Sequence, residues 1–196
     1  MTHIRIHPTI LLAFLFPLFG ILTWEQTGWL WISAFFHEAA HIAAYRICGT
    51  KMERIVLLPF GICAGPQNPI RITPASEVFC AAAGPTANLL ITVLLLALPV
   101  SVGNETVRYL LYCNGALFLV NGLPILPLDG GRMVYYGLAT KYDAPFCERI
   151  CYRCALILLI LLLFPVCFTL FKEKNPSLAM IWGYLAVYTT IQRGSI

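Results

Sequence analysis

The residues with most chemistry to offer are His37, Glu38 and His41, set inside the apolar run Trp29–Ile47. Histidines at i and i+4 lie one above the other on the same helix face, so both imidazoles can reach one ion. Glu38 stands beside the first, placed to take a proton from a water that the ion activates, without being a ligand itself. The competing explanation is a chance match, two core histidines satisfied by backbone carbonyls. The surroundings weigh against it. Ionisable groups are costly among so many apolar residues, so a trio here needs a partner or a job. A carboxylate is available at Asp129, in the stretch Leu123-Pro124-Ile125-Leu126-Pro127-Leu128-Asp129-Gly130-Gly131. The two prolines stop a helix, and the double glycine lets the backbone turn sharply. Such a stretch can also be no more than a turn. Two histidines, one carboxylate and a position left to water are what catalytic zinc requires, one ion per chain.

The elements that carry these residues follow from composition. Of 196 residues, 59% are hydrophobic and 11% charged, and the mean hydropathy is +0.79. A soluble domain is about 45–50% apolar and about 25% charged. The expectation is an all-α polytopic membrane protein forming a single domain over residues 1–196. Six transmembrane helices are expected at about 9–24, 29–47, 77–100, 106–123, 154–171 and 178–191. The first run lacks a small-residue cleavage site and reads as a retained span. In the opening Met1–Pro8, His3 and His7 read as interfacial residues rather than ligands, and Trp24–Trp29 reads as a tight turn. The second span is about 28 Å long at 1.5 Å per residue, and its histidines lie about 12–18 Å along it. Arg132–Arg153, ahead of the fifth span, is polar and basic.

Between the second and third spans, Arg54-Ile55-Val56-Leu57-Leu58-Pro59-Phe60-Gly61 is followed by Gly65-Pro66. Short β-branched and apolar runs broken by Gly and Pro predict a β-hairpin-like loop. Its apolarity suggests that it dips into the membrane, where irregular backbone is tolerated only inside protein or against a wet cavity. An amphiphilic surface loop is the alternative. The third span opens on Cys80-Ala81-Ala82-Ala83-Gly84-Pro85-Thr86-Ala87-Asn88, small residues that permit close helix approach.

Basic residues orient the spans. With six crossings, Arg5, Arg46, Lys51, Arg54, Arg71, Arg132, Lys141, Arg149, Arg153 and Arg193 fall on one side. Only Arg108, Lys172 and Lys174 fall on the other. The rule that cytoplasmic loops are basic then places both termini in the cytoplasm. The second and fourth spans run inward, bringing His37, His41 and Asp129 toward the cytoplasmic leaflet. The net charge of +4 follows the membrane and calls for no nucleic acid. Eight cysteines are no secreted framework, since most lie within or beside apolar runs. Cys147, Cys151 and Cys154 share one helix face, where packing outweighs a second metal or redox site.

Together, His37-Glu38-Ala39-Ala40-His41, Ala83-Gly84-Pro85 with Asn88, and Asn121-Gly122-Leu123-Pro124-Ile125-Leu126-Pro127-Leu128-Asp129-Gly130-Gly131 resemble the site-2 protease family of intramembrane zinc metalloproteases. The first and third resemble its HExxH and NxxPxxPLDGG elements, and the likeness covers roughly Ile6 to Arg132. The resemblance implies Asp129 as third zinc ligand and Glu38 as catalytic base. Within the family the chain looks most like the sporulation stage IV factor B branch, in its His7-Pro8, its Leu57-Leu58-Pro59-Phe60-Gly61 and six spans. That branch cleaves the membrane-tethered precursor of a late sporulation sigma factor in the bacterial cell membrane. It typically carries a C-terminal CBS domain, and other relatives a PDZ domain. Neither is expected in residues 1–196.

The partners so implied are a membrane-tethered protein substrate, membrane inhibitory or regulatory proteins, and the bilayer. A helical substrate must unwind before hydrolysis, and adding it as a strand to a free edge of Arg54–Gly61 would hold it extended. Asn121 is a candidate for orienting substrate or stabilising an oxyanion, with helix packing as its competing role. The same ligands could serve a zinc transporter or sensor. That reading does not need Glu38, and it would ask for polar groups along more spans than offer them.

Overall fold

A computed structural model describes residues 3–6, 23–50, 52–58, 61–66, 72–98, 104–172 and 177–193. Its elements are β1 (His3–Ile6), α1 (Trp24–Ile47), β2 (Met52–Leu58), β3 (Gly61–Pro66), α2 (Pro74–Ala97), α3 (Glu105–Asn121), α4 (Asp129–Ala139), α5 (Ala144–Phe171) and α6 (Ser177–Arg193). They fall into two compact units, Met1–Asn121 and Gly122–Ile196. The first expected span, about 9–24, lies outside the described residues apart from its last two.

In the first unit α1 begins at Trp24, where a tight turn was expected. A capping box explains the early start. Thr23 Oγ1 accepts from the Gln26 amide at 3.1 Å, and Gln26 Oε1 accepts from the Thr23 amide at 2.9 Å, so two unpaired helix-end donors are satisfied at once. The helix closes at Cys48, and Gly49 follows with φ 73°, a left-handed conformation that glycine adopts without strain. Thr73 caps α2 and Pro74 occupies its first turn. Helices α1 and α2 run antiparallel, since the Tyr45 hydroxyl near the end of one donates to Glu77 near the start of the other at 2.9 Å. Helix α3 starts at the same end as α1, with Thr106 Oγ1 3.5 Å from Glu25 Oε1. Ala44, Tyr45 and Cys80 make a small core between α1 and α2.

Arg54–Leu58 is extended, as part of β2. β2 pairs antiparallel with β3, from Arg54 opposite Gly65 to Leu58 opposite Gly61. The sheet holds a third strand that sequence reading missed. His3–Ile6, whose His3 reads in the sequence as an interfacial residue, pairs parallel with Arg54–Leu57. The strand order β1-β2-β3 puts β2 in the middle. Both its edges are occupied over Arg54–Leu57, so that stretch cannot be the receiving edge; the outer edges belong to β1 and β3.

In the second unit the polar and basic stretch after Asp129, where no helix was expected, is largely helical. Asp129–Ala139 forms α4, and α5 starts at Ala144, not Cys154. Asp129 in the first turn of α4 complements the helix dipole. Gly130 and Gly131 lie inside that helix and not in a sharp turn. Their use is close approach: a Cβ on Gly130 would strike Gly122 and Leu123 carbonyl groups, and one on Gly131 would strike the Ile125–Leu126 backbone. Ile125, Ala155, Leu159 and Leu185 form the core of this unit.

Two described helices, α2 and α5, are long and apolar enough to cross a membrane, and α6 holds a shorter apolar stretch, Leu178–Ile191. Only 17% of the apolar window of α5 is buried, which argues against the core helix of a soluble protein. Ile157, Ile160, Leu161 and Phe164 are exposed along it, while Ser33, His37, His41, Asn88 and Asn114 are buried. Water sorts side chains the other way.

Candidate metal centre

His37 and His41 sit one turn apart on the buried face of α1. Each ring is held by its Nδ1. That of His41 donates to the Cys80 carbonyl at 2.7 Å, an acceptor that leaves no choice of direction. That of His37 lies 2.5 Å from Asn88 Oδ1. With both protons on Nδ1, both lone pairs are on Nε2, and the two Nε2 atoms are 3.2 Å apart. Two lone pairs so placed could both be offered to one cation.

The distance suits zinc. Ligand nitrogens about 2.0–2.1 Å from a tetrahedral ion stand roughly 3.3 Å from one another. Gly84 of α2 keeps the place open, because a Cβ there would lie 2.7 Å from His37 Nε2 and closer still to His41 Nε2. The imidazole pair, its second hydrogen bonds and the glycine cradle therefore fit the ion that HExxH calls for.

Asn88 is itself fixed. Its Nδ2 donates to Asn114 Oδ1 at 2.8 Å. Asn114 Nδ2 donates to the Leu110 carbonyl at 2.9 Å and to Ser33 Oγ at 3.1 Å. Ser33 in turn donates to the Trp29 carbonyl at 3.0 Å. A polar seam thus crosses α1, α2 and α3, and among the described residues no buried side-chain nitrogen or oxygen lacks a partner. An interhelical hydrogen bond inside a membrane is worth about 0.6 kcal/mol on average. Leaving a buried donor or acceptor unpaired costs about 1–3 kcal/mol. The seam therefore adds little net stability and strongly constrains orientation.

Glu38 is half-buried on α1, next to His37 in the chain. It lines a groove of about 210 Å³ on α1 with Phe35, Ala39, Ile42, Ala43 and Arg46. In the second unit Asp129 is buried at the start of α4, with Arg132 one turn on at 3.5 Å. Asn121 is the half-buried last residue of α3. Leu57 and Leu58 end β2 and Gly61 begins β3; Pro59 and Phe60 lie outside the described residues. The thiols of Cys147, Cys151 and Cys154 do not gather into a metal-holding group among the described residues. The sequence offered Gly84 for close helix approach and Asn88 only as part of the resemblance, and gave no sign of a role for Ser33 and Asn114 beside the histidines. What it did carry was their residue type, amides and a hydroxyl inside apolar helices.

Comparison with known proteins points the same way. No family model matches the chain. A zinc metalloprotease of Methanocaldococcus jannaschii is 32% identical over 118 residues, which is 58% of this chain and 34% of that protein. The chain thus spans about a third of the length of this curated relative. The solved structure of a site-2 protease from the same organism superposes with a TM-score of 0.64 at 21% identity. The superposition covers 96% of this chain and 89% of that one, so the two share a fold.

Proposed function

We propose that this chain is an intramembrane zinc metalloprotease of the site-2 type, cutting a peptide bond in or near a transmembrane segment of a membrane-tethered protein. The observation that carries the reading is the imidazole pair, both Nδ1 atoms engaged and both Nε2 atoms 3.2 Å apart beneath Gly84. Asp129, the carboxylate of the Pro127-Leu128-Asp129-Gly130-Gly131 stretch, is the third ligand that the resemblance to the site-2 proteases implies. When bound, the ion lowers the pKa of a water toward about 7 and polarises the scissile carbonyl.

The chain's own groups do the rest. His37 and His41 present Nε2 without reorienting. Glu38, on the adjoining face, accepts the proton of the attacking water and returns it to the departing amine. Arg132 offsets the charge of Asp129 within α4. The substrate segment, unwound to expose its carbonyls, is received by strand addition. The open edge of β3 suits this role, because β3 is the strand packed most extensively against α1. Asn121 orients the substrate or steadies the oxyanion. The domain crosses the bacterial membrane six times with both termini and the site on the cytoplasmic side, as its basic residues are distributed. His7-Pro8 and Leu57–Gly61 make the precursor of a sporulation sigma factor the first substrate to try.

The test is cleavage of co-expressed, tagged single-span substrates by wild type and Glu38→Gln, with zinc quantified in both purified proteins. Cutting by wild type alone, with zinc in both, is expected. Zinc in both and cleavage by neither, across a panel that includes the sigma-factor precursor, would overturn the reading in favour of transport or sensing.

A further inference from the structure

We infer that Asn114, which lies beyond hydrogen-bond reach of the metal nitrogens, sets the proton of His37 and so decides whether the imidazole pair can bind an ion. The inference rests on the metal reading above and adds a positioning residue to it.

The argument runs along one chain of obligatory directions. The Leu110 carbonyl accepts and cannot donate, so the Asn114 atom at 2.9 Å is its NH2 group. Asn114 Oδ1 must then face Asn88, and the Asn88 atom 2.8 Å away is therefore a donor. That leaves Asn88 Oδ1 for His37, and an oxygen there requires the proton on Nδ1. The His37 lone pair is thereby assigned to Nε2, facing His41. A backbone carbonyl of α3 thus dictates the tautomer of a histidine on α1, through two amides.

The alternative arrangement shows what is at stake. If the Asn88 amide turned over, its NH2 would face His37 Nδ1 and the proton would move to Nε2. His37 Nε2–H would then donate to His41 Nε2 across the same 3.2 Å. The two histidines would satisfy each other, and an ion would have to break that bond first. Asn114 prevents this by presenting only an acceptor to Asn88. Ser33 is a secondary brace, since the Leu110 carbonyl alone fixes the Asn114 amide.

The experiment uses the full chain in detergent micelles with 15N-labelled histidine. Ring nitrogen shifts of His37 are read in the metal-free protein, and zinc affinity is measured by chelator competition. In wild type His37 is expected as the Nδ1–H tautomer. Asn114→Leu is expected to shift it to Nε2–H and to weaken zinc binding about 10–100-fold, the usual effect of losing an outer-shell partner. Asn114→Asp keeps the acceptor toward Asn88 and is expected to retain the tautomer. Ser33→Ala is expected to change affinity less than about threefold. A wild-type His37 found as Nε2–H, or an Asn114→Leu protein with unchanged tautomer and affinity, overturns the inference. The wild-type spectrum decides even where Asn114→Leu fails to fold. If wild type binds no zinc the protease reading falls, while the metal-free tautomer still judges the role of Asn114.

Discussion

Between α1, α2 and α3 a polar seam runs beside the small Ala44–Tyr45–Cys80 core: Ser33, His37, Asn88 and Asn114 bond to one another across three helices. Between α5 and α6 the buried contacts are apolar, with Ala155 and Leu159 against Leu185, and the bridging hydrogen bond described there is Trp182 Nε1 to the Leu159 carbonyl at 2.8 Å. In hydrocarbon neither group would have a hydrophobic drive, so each would depend on packing and on whatever polar groups it encloses. The difference is one of purpose. Apolar packing tolerates small shifts of one helix against another, which suffices for anchorage. A chain of directed bonds does not, and a pair of ligand nitrogens needs that intolerance.

Perturbations should therefore separate by readout. Glu38→Gln should reduce cleavage by about 10²–10⁴-fold, the range for a lost general base, and leave zinc content and thermal stability as they were. An equal loss of zinc would place Glu38 in the ligand set and blur the comparison. Leu159→Ala should lower stability by about 2–5 kcal/mol through the cavity it leaves in the apolar unit. Zinc affinity of the molecules that remain folded should not change in chelator competition. Gly84→Ala should do the reverse, weakening zinc about tenfold or more by forcing a methyl against both Nε2 atoms, at about 1–3 kcal/mol of overpacking strain. Unaltered affinity would mean that α2 can draw back, and that the seam is less rigid than its bonds imply. Trp182→Phe is the mildest, expected to cost about 1 kcal/mol in thermal unfolding and nothing in metal binding.

What was legible in the sequence was whatever a local spacing encodes. His37 and His41 four residues apart, Glu38 beside one of them, and a carboxylate after two helix-stopping prolines required no knowledge of neighbours. Most helix bodies were legible for the same reason, as apolar runs. Their ends were less so: Thr23 and Gln26 extended α1 past the tryptophans through a capping box that composition hides. Helix α4 was obscured because its basic and polar residues resemble a loop. Asn114 and Gly84 matter only through the rotation of one helix against another, which no single segment records. The parallel pairing of His3–Ile6 joins distant segments, and neither strand announces the other.

That pairing has a consequence for how the protein is made. His3 lies opposite Arg54, so everything from the first strand to the end of α1 must be synthesised before β1 has a partner. At about 5–20 residues per second the strand waits several seconds after leaving the ribosome. The helix bearing both histidines is complete during that delay, so the parallel pair can form only once α1 has been made.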